Sequence, residues 1–420
     1  MVASSHQGAT VNSSVRARLS AMMFLQFAIW GSWFVTMSTY LLQIGFDGLQ
    51  VGAAYSTMNW GAIFAPIVAG AFADRFFQAQ KVMAVLHLLG AGLLWWISSI
   101  SDPTSFFWAL LAYAICYMPT LGLANAVSFH QMTDPGRQFP GVRVMGTLGW
   151  IVAGLTVGVL APRLFGHSIE PTNLPLKLGA MLSLVLGLYS FALPATPPGN
   201  AGRRPSLTQV LGLETLALMR DRSFGIFIIG SMLICIPLSF YYSFANAFLN
   251  ETGMQNAAGK MTLGQASEVI FLVLVPFFFV RLGVKRMLLV GMAAWTLRYV
   301  LFAFGNNGAL VSLLYAGIIL HGICFDFFFV TGQIYVDKFV PRVQRAAAQG
   351  FIHVVTYGVG QLIGSWAAGA VVERYATATD AGTQHLWQTI WLVPAVMAFV
   401  VLLLFAFFFR EPVQGASPAP

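Results

Sequence analysis

Apolar residues in this chain come in long runs rather than in alternation. From about position 19 to position 409, stretches of roughly twenty apolar residues recur, separated by short polar loops. A helix rises about 1.5 Å per residue, so about 20 apolar residues cross a hydrocarbon core of about 30 Å. The runs predict twelve transmembrane helices, at roughly 19–44, 49–73, 80–100, 105–130, 140–162, 175–195, 223–249, 262–281, 285–305, 308–336, 346–371 and 386–409. Barrel strands would alternate apolar and polar positions over about 10 residues. Only a helix satisfies its own backbone over such a run in lipid. The fold class read from the pattern is an all-α membrane protein.

The longest polar insertion divides the spans six and six. It holds Pro197, Pro198, Gly199, Arg203, Arg204, Pro205, Arg220 and Arg222. The expected organisation is a tail at 1–18, a six-helix bundle at 19–195, a linker at 196–222, a second six-helix bundle at 223–410 and a tail at 411–420. Most of the 22 Lys and Arg fall in the tails, the linker and the loops on the same side. Arg163, Lys177, Lys260 and Arg374 fall on the other side. Basic residues are retained on the cytoplasmic side of a membrane, so both termini and the linker are expected there, in an inner membrane.

Composition closes off other classes. Hydrophobic residues make up 58% of the chain and charged residues 9%, against about 25% charged in a soluble protein. The net charge of +8 does not point to nucleic acid, because the positive residues lie in short loops. Cys116, Cys235 and Cys324 sit in apolar runs without a CxxC pair, so neither a metal site nor a disulfide framework is expected. No cofactor is called for. The first apolar run is too long for the core of a cleavable signal peptide.

Against this background the ionisable residues inside spans stand out. An acid or base at the middle of a membrane helix costs about 2.5–3.5 kcal/mol on insertion scales, and such residues face a bundle interior or a water-filled cavity. Asp326 lies in Gly322-Ile323-Cys324-Phe325-Asp326-Phe327-Phe328-Phe329-Val330, and Glu268 in Gly264-Gln265-Ala266-Ser267-Glu268. Arg143 precedes Gly146-Thr147-Leu148-Gly149, and Thr147 and Trp150 follow it on the same helical face. Gln265 and Glu268, three apart, also share a face. A carboxyl group that moves between a dry setting and a nearby cation can load and release a proton. Rings around a carboxylate suit a ring-bearing solute with hydroxyls. Gln26 is a further cavity candidate. Asn59, Asn125, Asn246 and Gln333 read as contacts between helices, and Arg298 as half of a structural pair. These charges together suggest a polytopic transporter.

The segment Gly70-Ala71-Phe72-Ala73-Asp74-Arg75-Phe76 resembles a shortened cytoplasmic loop motif of the major facilitator superfamily. Nearly the whole chain resembles the nucleoside:proton symporters of that superfamily, of the bacterial nucleoside permease type. The resemblance runs through Phe24-Leu25-Gln26-Phe27, Trp30-Gly31-Ser32-Trp33, Tyr117-Met118-Pro119-Thr120-Leu121-Gly122-Leu123, Arg143 with Gly146-Thr147, Gln265 with Ser267-Glu268, and Phe325-Asp326-Phe327-Phe328. It implies two bundles of the major facilitator fold working by alternating access. It also implies substrate-site positions at Arg143, Thr147, Gln265, Glu268, Phe325 and Asp326, with Arg143 able to approach Glu268. The family pattern has a glutamine and an asparagine where this chain has Ser239 and Tyr242. It has an asparagine where this chain has Phe329.

The expected function is proton-coupled uptake of a nucleoside or nucleoside-like ring solute by a monomer in the bilayer. Gln26, Arg143, Thr147, Trp150, Ser239, Tyr242, Gln265, Phe325, Asp326 and Phe329 are expected at the substrate, and Glu268, Asp326 and Arg143 in proton coupling. Because the pocket has fewer amides and more rings, a same-fold transporter of a sugar, sugar derivative or other aromatic metabolite is the alternative. A membrane sensor or an intramembrane enzyme using Glu268 and Asp326 is the remote one.

Overall fold

A computed structural model describes residues 12–72, 77–198, 213–341, 344–380 and 382–411. The loop residues Asp74 and Arg75, most of the linker, and the ends of both tails lie outside the described residues.

Helices follow the apolar runs. They are α1 (Ser13–Gln43, with a turn at 34–36), α2 (Gly48–Phe72), α3 (Ala79–Ile97), α4 (Pro103–His130), α5 (Pro135–Phe165), α6 (Leu174–Ser190), α7 (Arg222–Glu251), α8 (Ala257–Phe304), α9 (Val311–Phe339), α10 (Ala347–Arg374) and α11 (Trp387–Phe408). Starts carry the expected caps: the side chains of Asp102, Asp134 and Asp221 accept from backbone N–H groups of the first turn. For Asp102, which lies outside the spans, the N–H of Ser105 holds the carboxyl below its ordinary range. Leu, Val and Phe side chains such as Val273, Val280 and Phe407 stand on the outside, as expected where lipid is the solvent.

The 48 residues of α8 form two helical segments joined at a sharp kink. The sequence predicts two spans there, and the structure breaks them at Gly283, with φ 70° and ψ −179°. Only glycine adopts that conformation readily. Glu411 of the C-terminal tail accepts from the next N–H, that of Val284. A small antiparallel hairpin, β1 (Ala376–Thr379) and β2 (Gly382–His385), pairs Ala376 with His385 ahead of α11. The hydropathy pattern did not predict it.

The N-terminal helices pack on the C-terminal ones through α1 on α7, α2 on α10, and α5 on α8. Hydrogen bonds across this seam start at one end of the molecule and reach its middle. Thr39 meets Asn246 at 2.5 Å, Gly48 N–H donates to Glu373 at 2.9 Å, and Asn59 donates to Tyr357 O at 2.8 Å. Gly158 and Gly259 touch backbone to backbone, with no room for a Cβ at 158.

Glu170 fastens the same end. It is fully buried and accepts from Asn246 Nδ2 at 2.8 Å, Asn250 Nδ2 at 2.9 Å and the Ala258 N–H at 3.1 Å. An unmet buried donor costs about 1–3 kcal/mol, so Glu170→Ala is expected to loosen this end. In a chain lacking the three native cysteines, a cysteine placed at Thr39 should react faster with an impermeant thiol reagent. Equal labelling rates with and without Glu170 would refute the fastening role.

Candidate functional site

The site begins where α1 and α5 touch. A Cβ at Gly149 would run into the backbone of Phe24, and one at Gly146 would fall 2.6 Å from the Phe27 ring and 2.9 Å from the Arg143 guanidinium. These glycines let α5 lie directly on α1. Arg143 then rests 4.2 Å from the centre of the Phe27 ring, a cation–π contact. Thr147 and Trp150 are half-buried on the same face, and Trp150 packs edge-on against Trp30 at 5.7 Å.

A second close crossing joins α8 to α9. A Cβ at Gly322 would meet the Ser267 carbonyl group at 2.5 Å, and one at Gly264 would meet His321 at 3.1 Å. The Ser267 hydroxyl donates to Ile319 O at 2.7 Å and accepts from the Gly322 N–H at 2.9 Å. This staple sets Glu268, with 21% of its side chain exposed, beside His321, with 4% exposed; Oε2 and Nε2 are 3.6 Å apart. One turn further, Asp326 is 1% exposed and its Oδ2 has no hydrogen-bond partner among the described residues. It opens a π-helical segment, Asp326–Val330. Such widened turns re-aim side chains and recur at functional sites. Thr156–Leu160 in α5 and Val354–Gly360 in α10 are widened likewise.

The seam brings these pieces together. Arg143 on α5 and Glu268 on α8 lie on helices that pack across it, and Glu268 on α8 and Asp326 on α9 lie on helices that pack within the C-terminal part. Trp150 from α5, Tyr242 from α7 and Gln265 from α8 line one small cleft with Phe34, Tyr241 and Met261. Phe325 and Phe329 lie with ring centres 5.0 Å apart, and Phe329 stacks on Tyr357 of α10 at 5.3 Å.

Two expected residues are placed apart from this group. Gln26 is fully buried; its amide donates to Thr120 at 2.7 Å and its oxygen lies 2.9 Å from His87 Nε2. Ser239 donates to Cys235 O and Gln361 O, both at 3.1 Å, which ties α7 to α10. Both side chains hydrogen-bond to neighbouring helices.

Arg298, expected in a structural pairing, meets a ring and not an acid among the described residues. It is fully buried, its three guanidinium nitrogens lack hydrogen-bond partners, and it lies 4.3 Å over the Tyr241 ring. His321 was missed altogether, although an ionisable ring within a predicted span is the same signal that singled out Asp326.

Comparison with known proteins settles the family. Residues 13–414 match the family described as Nucleoside H+ symporter. The chain belongs to that symporter family. It is 43% identical over 400 residues to YegT of Escherichia coli (strain K12), covering 94% of each chain. It is 35% identical over 410 residues to the nucleoside permease NupG of the same organism, covering 94% of this chain and 95% of that protein. A crystal structure of nucleoside transporter NupG superposes with a TM-score of 0.85 at 34% identity, covering 95% of this chain and 100% of that one. This symporter is therefore a membrane-spanning transporter of the major facilitator type, and not an enzyme.

Proposed function

We propose that this symporter takes up a nucleoside together with a proton across the inner membrane. The reading is supported by Arg143, Glu268 and Asp326 lying on helices that pack at the seam, where Trp150, Tyr242 and Gln265 line an aromatic cleft. The chain works as a monomer of twelve spans, in bundles of residues 19–195 and 223–410, with both termini and the linker in the cytoplasm. The closed end fastened by Glu170 then faces outside.

The proposed cycle runs between two seam states. With the seam open to the outside, a base stacks among Trp150, Tyr242 and Phe325, and sugar hydroxyls bond Gln265, Thr147 and the carboxylates. A proton loads on Glu268 or Asp326 and removes one buried charge. The bundles then rock shut at the outer end, Gly158 meets Gly259, and the load leaves on the inside. Arg143 draws the proton off by offering the carboxylate a cation at close range. Rocking requires only that the two end states differ by a few kcal/mol, a gap that ligands can bias.

The test is uptake by the purified chain in proteoliposomes. An imposed inward proton gradient should drive labelled uridine above its outside concentration, and a protonophore should abolish the effect. If uridine, adenosine and xanthosine merely equilibrate at the same rate with and without the gradient, the reading is wrong.

A further inference from the structure

The cycle above uses three ionisable groups, yet the same core holds a fourth that has no assigned work. His321 is buried, and its Nδ1 has no hydrogen-bond partner among the described residues. Its Nε2 faces Glu268 Oε2 at 3.6 Å. The ring is stacked on Tyr241, with centres 5.5 Å apart and planes at 24°, and it leans on Phe325 at 5.9 Å. The Ser267 staple and the Gly264–Gly322 crossing hold the His321 backbone close against α8.

Burying an imidazole against a carboxylate is a poor way to fill space. A phenylalanine would stack on Tyr241 equally well without bringing polar nitrogens into the core. What a phenylalanine lacks is a nitrogen lone pair at Glu268. We propose that His321 is the proton-holding partner of Glu268 in coupled transport, and this rests on the proton-coupled reading given above.

The step is a simple proton exchange. The proton that arrives on Glu268 Oε2 passes to His321 Nε2, leaving a carboxylate and an imidazolium side by side. The carboxylate is then free to attract Arg143 when the bundles rock, and the imidazolium returns its proton on release. No other reactant is consumed.

The charged and titratable groups around the ring come from every packed element. On α8, Glu268 is the facing acid and Arg298 the nearby cation. On α7, Tyr241 lies between the ring and Arg298, and Tyr242 faces Glu268. On α9 itself, Asp326 and Cys324 follow; on α10, Tyr357 faces Glu268; on α5, Arg143 faces it across the seam. Arg298 has no hydrogen-bonded counter-charge among the described residues. It therefore opposes a lasting positive charge on His321 and favours return of the proton.

The experiment compares wild type, His321→Gln and His321→Phe in proteoliposomes with labelled uridine. Gln keeps a polar N–H near Glu268 but cannot titrate, and Phe keeps the stack without a nitrogen. Two quantities are read over a range of outside pH: gradient-driven accumulation, and uridine exchange at equal pH on both sides. Both variants should lower the ratio of accumulation to exchange by about tenfold or more and flatten its pH dependence. A wild-type ratio and pH profile in either folded variant overturns the proposal. So does a parallel fall of accumulation and exchange with the pH profile kept, which is the mark of a packing role. Failure of wild type to accumulate uridine at all would instead overturn the function proposed above.

Discussion

Asp326→Asn is expected to end concentrative uptake. The substitution keeps the shape and the surrounding rings of Phe325, Phe328 and Phe329 and removes the ability to hold a proton. One charge moving through 100 mV gains about 2.3 kcal/mol. At about 1.4 kcal/mol per tenfold, that supports about 50-fold accumulation of uridine for each coupled proton. An uncoupled carrier reaches a ratio of one. The variant should therefore equilibrate uridine, more slowly than wild type, and stop there. Asp326 is almost wholly buried and its Oδ2 has no hydrogen-bond partner among the described residues. Accumulation by the Asn variant at half the wild-type ratio or better would remove Asp326 from coupling.

Gly158→Leu is expected to stop transport by a different route. Gly158 of α5 sits backbone to backbone against Gly259 of α8, so even a Cβ would fall inside the neighbouring peptide. The clash lies between the two helical parts, and not within either of them. The chain can relieve it by opening the seam rather than by unfolding. Overpacking of a tight contact costs about 1–3 kcal/mol or more. A penalty of about 3 kcal/mol moves a two-state balance about 100-fold. The variant should insert and fold, hold its outer end open to thiol labelling at Thr39, and lose most uridine uptake. Gly122→Leu is the control, because a Cβ there meets nothing within 4 Å. Normal uptake by Gly158→Leu would mean that this crossing is not part of the cycle.

The two predictions draw on different kinds of information. Asp326 was legible in the sequence because an acid among phenylalanines is costly in lipid, and the cost alone demands a reason. Arg143 and Glu268 were legible for the same cause. Gly158 was not, because a glycine in a membrane helix looks the same whether it faces lipid, its own bundle or the opposite part. Gln26 and Ser239 show how polarity in a span can also serve packing. Each is a polar residue in a span, but Gln26 is taken up by Thr120 and His87, and Ser239 by backbone carbonyls. Polarity in a membrane helix signals a need for a partner and does not say whether the partner is a solute or another helix. The ring partners of Arg298 and His321 leave no pairing pattern along the chain.

By itself the sequence determined that this protein lives in lipid as packed helices, where the spans run, and which few side chains are too costly to be there idly. Those conclusions rest on transfer energies, which add up residue by residue along the chain. The tertiary structure alone decided which of the polar groups meet, through the glycine crossings at 146–149 and at 264 with 322. It also placed the widened turn at Asp326 and closed one end of the seam with Glu170. Such contacts depend on how helices far apart in sequence lie on one another, and no local pattern of hydrophobicity encodes that.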